Sequence, residues 1–358
     1  MSVLNLIRPE LLNNQAYIPI SGQINHRLHA NELPWSALNT EIDLNFYPEK
    51  MAQQPLLEQL AKVYQVDVNQ LVLTRGSDDG IDLITRLFLK ARQDACMQFP
   101  PTFPMYSFYA HLQQAQLIEC PLDSLNYFEI SGEEIRNCWQ NNCKMIILCN
   151  PNNPTASLID LAQIAALCKE YKDRSIIVVD EAYIEFTQNQ SAACLIPQFD
   201  NLIVLRTLSK AYGLANLRLG SVLAQANVIQ ALNKIMSPFP LSTVVIDIAL
   251  KALATPEWFF ESINKIIKAR TQLIQELTQC PLIEKVYPSQ TNFILIKTLY
   301  ARELVSWFAH HGIAVRDFSP HSSLHDHLRI TVGDEAQNRF LLNTLSSFQP
   351  NSSSEGCK

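Results

Sequence analysis

Three polar clusters in the middle of the chain carry residue types able to do covalent and acid–base chemistry. Asn150-Pro-Asn-Asn-Pro154 follows the apolar run Met145–Cys149, and Asp180-Glu-Ala-Tyr183 follows Ile176–Val179. Arg206-Thr-Leu-Ser-Lys210 follows Leu202–Leu205, and Arg218 stands eight residues beyond the lysine. Short, continuous apolar runs of this kind read as strands covered on both faces. In open α/β sheets, ligands bind at the carboxyl ends of strands, so polar residues placed just there carry weight. Singly, each cluster has an ordinary explanation: Asn-Pro makes turns, an acid after a strand caps a helix, and a lysine is usually solvated. Jointly they offer an amide, a carboxylate, a phenol, an amine and a guanidinium along one sheet edge.

One cofactor uses that whole set. Pyridoxal phosphate needs a lysine amine for its aldehyde and a carboxylate that keeps its ring nitrogen protonated. Its phenolic oxygen needs hydrogen-bond donors. Its phosphate needs hydroxyls, an arginine and free helix-terminal amides. Lys210 is expected to bind the aldehyde covalently and Asp180 to face the ring nitrogen. Asn153 and Tyr183 would bond the phenolic oxygen, and Ser209 and Arg218 would hold the phosphate. A lysine so placed also serves as the base that moves a proton at the substrate's amino-bearing carbon.

From about Arg27 to Gly333 these segments resemble the class II branch of the fold-type I aminotransferases. Arg75-Gly-Ser-Asp-Asp-Gly-Ile-Asp82 is similar to the family segment whose helix start cradles the cofactor phosphate, which implies roles for Ser77 and Asp78. A helix N-terminus has unpaired amides and the positive end of the dipole, so the placement makes sense, although both residues could equally cap the helix. Pro100-Pro-Thr-Phe-Pro-Met-Tyr106 resembles the loop whose aromatic ring stacks on the pyridine; Phe103 holds that position, where many relatives have tyrosine. Asn45-Phe-Tyr-Pro48 resembles the segment whose tyrosine, here Tyr47, reaches the cofactor phosphate of a second subunit, which implies a homodimer. Asn216 and Ala156 stand where the family usually has glycine. Asn tolerates a positive φ better than most residues, so a left-handed turn at Asn216 is expected to survive.

The resemblance also implies anionic substrates. Arg329, in His327-Leu-Arg-Ile-Thr-Val-Gly333, matches the family's substrate arginine, and Arg316 is a second candidate for a substrate phosphate. Tyr17 and Asn31 align with further substrate-side positions. A guanidinium binds carboxylate or phosphate in bidentate fashion. The implied pair is histidinol phosphate with glutamate and 2-oxoglutarate, a step of histidine biosynthesis. Alternatives on the same fold are a threonine-phosphate decarboxylase and an aromatic amino acid aminotransferase. A non-catalytic ligand-binding regulator is a remote one, since no basic helix-turn-helix stretch accompanies the chain.

The elements that must position these residues follow from the pattern. A chain of 358 residues exceeds one ordinary core. Candidate strands at 72–73, 95–99, 145–149, 176–180, 202–206 and 221–224 alternate with helical spacing at 78–90 and 158–172. A long helical pattern at 257–279 precedes short strands at 282–286, 292–296, 313–316 and 328–331, with helices at 301–311 and 335–346. The expected fold class is α/β: a large domain of the pyridoxal-phosphate transferase kind with a mainly parallel sheet, plus a smaller α+β C-terminal domain and an N-terminal arm. The expected boundaries are 1–40 for the arm, 41–240 for the large domain, 241–349 for the small one, and 350–358 for a disordered tail.

Bulk properties narrow the partners. With 47% hydrophobic and 17% charged residues and a net charge of −6, Lys and Arg unclustered, no nucleic-acid or membrane surface is expected. Met1–Pro9 lacks the apolar core of a secretory signal, and no apolar run approaches the roughly 18 residues of a membrane span. Nine cysteines without a C-x-x-C pair suit reduced thiols in the cytoplasm. His321, His325 and His327 lack a second ligand set, so no metal is expected. There is no G-x-G-x-x-G, P-loop, G-x-S-x-G or H-E-x-x-H, which removes dehydrogenase, NTPase, serine hydrolase and metalloprotease readings.

Overall fold

The alternation of apolar runs with amphipathic helices builds a seven-stranded sheet. The computed structural model describes residues 2–16, 27–38, 40, 42–123, 125, 127–319 and 322–350. The strands are β1 (Leu71–Thr74), β2 (Ala95–Gln98), β3 (Gln116–Glu119), β4 (Cys143–Cys149), β5 (Ile176–Asp180), β6 (Leu202–Thr207) and β7 (Gly220–Ala224). Their order is β1-β7-β6-β5-β4-β2-β3, and β7 alone runs antiparallel to its neighbours. The helices of this body are α1 (Pro9–Leu12), α2 (Gln54–Tyr64), α3 (Gly76–Phe88), α4 (Met105–Leu112), α5 (Gly132–Cys138), α6 (Leu161–Glu170), α7 (Ala226–Asn233) and α8 (Thr243–Leu253).

Both sheet faces are covered. Ile146, Leu148, Ile177, Val179 and Val204 pack into one core, and Met145, Ile147, Ile176, Val178 and Ile203 into the other. That is why the central strands carry no polar alternation. The edge strand β3 has only one buried residue, Ile118, and its polar pattern hides it from a sequence reading. The start of the chain differs from the expected arm: Ser2 caps a helical turn, and Val3, Leu6 and Ile7 are buried in the second core. Arg8 N–H then donates to Leu87 O at the end of α3 at 3.0 Å. Beyond residue 240, α8 still packs Ile246, Ala249 and Leu253 into the large-sheet core. From Asn351 onward, the expected tail lies outside the described residues.

After α9 (Pro256–Gln279) the chain makes a four-stranded antiparallel sheet of β8 (Lys285–Val286), β9 (Phe293–Lys297), β10 (Arg316–Asp317) and β11 (His327–Thr331), in the order β10-β11-β9-β8. Two expected strands shrink to two residues each. At 313–316 the Ile313 N–H is used on Phe308 O, at 2.8 Å, after Gly312 turns left-handed (φ +74°) to end α10 (Ala301–His310). At 282–286 the Ile283 N–H closes a turn onto Cys280 O. Ile294, Ile296, Leu328 and Ile330 pack against α9, α10 and α11 (Glu335–Ser346), while Phe293 and Leu295 join the large core. With a period of two, Arg329 therefore stands on the opposite face of β11 from Leu328 and Ile330, toward the large body.

The reversed strand β7 has a local consequence. Gly220 pairs with Thr207 of β6 on one side and Thr74 of β1 on the other, which sets it under the start of α3. A Cβ there would lie 2.4 Å from Gly76 C and 2.6 Å from Ser77 N. Neither backbone atom can yield without moving the helix. Gly220→Ala is therefore expected to lower stability by roughly 1–3 kcal/mol and to weaken binding of the expected cofactor, read by thermal unfolding and cofactor titration. Unchanged values in both would show that α3 is not held by this contact.

Candidate active site

Because β1, β4, β5 and β6 run in the same direction, their carboxyl ends open on one edge of the sheet. A cavity of about 180 Å³ lies there, lined by Ser77, Asp78, Phe103, Asn153, Asp180, Tyr183, Ser209, Lys210 and Arg218, together with Cys149, Ala182 and Thr207. Nine residues expected at a cofactor site from their sequence context thus share one cavity.

The loop after β4 shows how one residue of three is freed for chemistry. Asn150 Nδ2 donates to Ile159 O (3.1 Å) and its Oδ1 accepts from Ile159 N–H (2.8 Å). Asn152 Nδ2 donates to Pro101 O and Thr155 Oγ1, and its Oδ1 accepts from Thr102. With those two amides fixing the loop, Asn153 faces the cavity and accepts a hydrogen bond from Arg329 Nη1 through its Oδ1. Ala156 takes the left-handed conformation (φ +60°) in place of the usual glycine, at a cost of roughly 1 kcal/mol. At the other departure the left-handed residue is Arg218 (φ +51°, ψ +47°) and not Asn216. The turn is displaced by two residues, which carries the guanidinium back toward α3.

Charge is distributed with care around the cavity. Asp180 is buried, its Oδ1 accepting from Ala182 N–H (3.1 Å) and its Oδ2 from the Tyr106 hydroxyl (2.8 Å). Burial raises its carboxyl to about 6, while the Tyr106 bond, the Ala182 amide and Lys210 pull the other way. Lys210 is lowered from the ordinary amine value by burial and then by the positive charges of Arg329 and Arg218. A lowered amine is a better nucleophile and base near neutrality. Its Nζ stands 5.6 Å from the ring centroid of Tyr183, which packs edge-on against Phe293.

At the other end, Arg75 as N-cap of α3 supplies no side-chain cap, so the first amides of the helix remain donors. Arg218 Nη1 donates to Ser209 Oγ and Nη2 to Asp78, both at a long 3.4 Å, and its side chain is half exposed. Ser209 is held by Thr207, whose hydroxyl donates to Ser209 Oγ at 3.0 Å. Gly76 is left-handed (φ +81°), which strains any side chain, and a Cβ there would sit 2.8 Å from Arg218 Nη2 and push the guanidinium off the helix start.

The remaining expected residues divide. Arg329 reaches the cavity through Asn153 and lies over Phe293 and Phe318, 5.1 and 5.7 Å from the ring centroids. Arg316 is exposed, paired in register with Arg329 across β10 and β11. Tyr47 does not line the cavity; it is half exposed and stacks on Phe239 at 4.8 Å. Asn31 is exposed with φ +56° and joins nothing at the cavity. Tyr17 lies outside the described residues. Sequence reasoning reads Cys149 as core in its apolar strand and gives no role to Thr207 and Tyr106, although both stand inside the motifs. It also missed Arg206, whose Nη2 meets Glu185 at 2.8 Å and whose Nη1 lies 3.6 Å from Glu181, clamping the buried ends of β5 and β6. Among the described residues no group of His, Cys, Asp or Glu is placed to hold a metal, and no helix is long and apolar enough to cross a membrane.

The family model described as aminotransferase class I and II matches residues 25–345. The chain belongs to the class I and II aminotransferases. Histidinol-phosphate aminotransferase 1 of Legionella pneumophila (strain Philadelphia 1) is 56% identical to this aminotransferase over 97% of the chain and 96% of that protein. Histidinol-phosphate aminotransferase of Francisella philomiragia is 36% identical over 95% and 94%. The crystal structure of histidinol-phosphate aminotransferase from Sinorhizobium meliloti in complex with pyridoxal-5'-phosphate shares the fold, with a TM-score of 0.76 at 24% identity over 84% of this chain and 83% of that one.

Aminotransferases of this family depend on pyridoxal phosphate, and the donor set fits that group. One end of the cavity offers uncapped amides, a hydroxyl and a guanidinium for a phosphate; the floor offers a buried carboxylate for a cation; an amine of lowered basicity lies between. The carboxylate yields a sharp test. Its folded value lies above the unfolded 3.8, so in the cofactor-free protein its contribution is fully present below about pH 4 and is lost as pH rises through about 6. The loss is roughly 2–3 kcal/mol. Cofactor-free Asp180→Asn should therefore unfold at a higher temperature than wild type at pH 7.5 but not at pH 4, and bind the cofactor more weakly. Parallel melting curves across that range would contradict a buried charge at Asp180.

Proposed function

We propose that this aminotransferase interconverts histidinol phosphate and 2-oxoglutarate with imidazole acetol phosphate and glutamate, a step of histidine biosynthesis. The observation that carries the reading is the pair Arg329–Arg316. Arg316 and Arg329 stand opposite each other in the β10–β11 ladder, each guanidinium lies over the Phe318 ring, and Arg329 reaches Asn153 at the cavity. Like charges directly opposite are unfavourable by themselves. An anionic substrate reverses the sign of that interaction. A bidentate arginine suits the carboxylate of glutamate and the phosphate of histidinol phosphate equally, so one site can serve both halves of the cycle. The names of the close relatives support the same substrate.

The roles of the cavity residues are part of this proposal. When bound, pyridoxal phosphate supplies an aldehyde for the amine and an electron-withdrawing ring. Ser77, Asp78, Ser209 and Arg218 hold the phosphate end, Phe103 covers the ring, and Asn153 and Tyr183 bond its phenolic oxygen. Asp180 keeps the ring nitrogen protonated. Lys210 Nζ takes the proton from the amino-bearing carbon of the substrate, for which its lowered basicity suits it. Tyr47 is read as completing the phosphate site of a second subunit, in a homodimer. It lies off its own chain's cavity and is half exposed, and Trp35, Leu38 and Met51 of the same N-terminal stretch are exposed as well, which supports that reading. Asn31 and Tyr17 are assigned to the substrate side by their alignment alone. The eight cysteines among the described residues are all free, in keeping with a cytoplasmic enzyme.

The test is a steady-state assay with histidinol phosphate and 2-oxoglutarate. Turnover to glutamate is expected, and carbon dioxide release from threonine phosphate without amino transfer would overturn the substrate assignment. Arg329→Ala should raise KM for both substrates by roughly 100-fold. Arg316→Ala should raise KM for histidinol phosphate and leave that for glutamate nearly unchanged. Equal effects of Arg316→Ala on both would move Arg316 away from the phosphate.

A further inference from the structure

Tyr106 has no place in the functional reading so far, yet its side chain is fully buried on α4 and its hydroxyl donates to Asp180 Oδ2 at 2.8 Å. The other carboxylate oxygen is anchored to the main chain at Ala182. Tyr106 does not itself line the cavity. Three residues earlier, Phe103 does, and it meets the Tyr106 ring edge-on at 5.6 Å and 80°. A single turn of chain therefore carries both the ring expected to cover the cofactor and the hydroxyl that grips the carboxylate.

We propose that Tyr106 is a positioning residue for amino transfer: its hydroxyl holds Asp180 ionised and aimed at the ring nitrogen of the cofactor, acting only through the carboxylate. A hydroxyl has one proton to give. Here it is given to Asp180, which fits a carboxylate and not a carboxylic acid with its own proton at that oxygen. Behind it, the Cys149 thiol contacts the same hydroxyl, and Cys149 is Asp180's register partner in the β4–β5 ladder. The thiol gives its own proton to Pro151 O at 3.5 Å, so the Tyr106 hydroxyl has Asp180 as its acceptor. Burial and the neighbouring Asp180 push the Tyr106 phenol well above its ordinary range, so it stays a donor at every working pH.

The other groups facing Asp180 do not replace it. Asp78 from α3 opposes ionisation, and Lys210 from the segment after β6 favours it only while charged. Tyr183, beyond β5, is itself held protonated by burial, and among the described residues the donors to Asp180 are Tyr106 and Ala182. A tyrosine kept only for packing would be replaced by phenylalanine without consequence for the carboxylate.

The inference rests on Asp180 facing the ring nitrogen, so the experiment separates the two claims. In the cofactor-free protein, the Asp180 carboxyl is titrated by carbon-13 NMR in wild type and Tyr106→Phe, with Asp180→Asn giving the assignment. The midpoint is expected to rise by roughly one unit in Tyr106→Phe. In the loaded enzyme kcat should fall about tenfold while KM for glutamate stays within about twofold, since no substrate contact is removed. An unchanged midpoint with unchanged kcat overturns the role of Tyr106. Full activity in Asp180→Asn overturns the assignment of Asp180 instead. Should Tyr106→Phe fail to fold, wild type still decides: the Tyr106 ring-carbon signal should shift with the Asp180 midpoint, and a pH-independent signal overturns the contact.

Discussion

Asp180 is a carboxylate buried at the end of the central strand of a sheet, and most of the site can be understood as the means of keeping it charged there. Removing such a group from water favours its neutral form, as its rise to about 6 records. Two donors and a nearby amine oppose that rise without cancelling it. The deficit is useful. In the proposed placement a protonated pyridine would bring the missing positive charge, and cofactor binding would relieve an electrostatic cost already built into the folded chain.

The same logic orders the rest of the cavity along one axis. Negative charge is wanted on the floor, where Asp180 sits, and positive potential at the far end, where α3 begins uncapped beside Arg218. Between them Lys210 is kept from being strongly basic by burial first, and then by Arg329 and Arg218. These groups come from segments far apart in sequence. The strand order brings them together: β4, β5 and β6 lie side by side, and the reversed β7 returns Gly220 beneath α3. Where two backbones approach that closely, glycine is required by space and not by conformation.

Much of this is legible in the sequence because chemistry and geometry leave the same marks. Asn153, Asp180, Tyr183, Ser209, Lys210 and Arg218 each follow an apolar run, and the runs become neighbouring strands. What escapes is of two kinds. Tyr106 and Arg206 stand inside the motifs without a role, and only three-dimensional contact shows a hydroxyl that grips a carboxylate and a buried ion-pair cation. The left-handed residue near the phosphate end falls on Arg218 and not on Asn216, although asparagine has the better local preference for it. Likewise Val3, Leu6 and Ile7 look like the start of an arm, and become core only because α3 and α7 leave a surface for them to cover.

The central claim is that one lysine, Lys210, faces this cavity to hold pyridoxal phosphate. Purified protein saturated with the cofactor, reduced with borohydride and digested, places the claim on a single peptide. The cofactor's mass should appear on Lys210 and on no other lysine. Stoichiometric label on a different lysine, or none after reduction, would contradict the account.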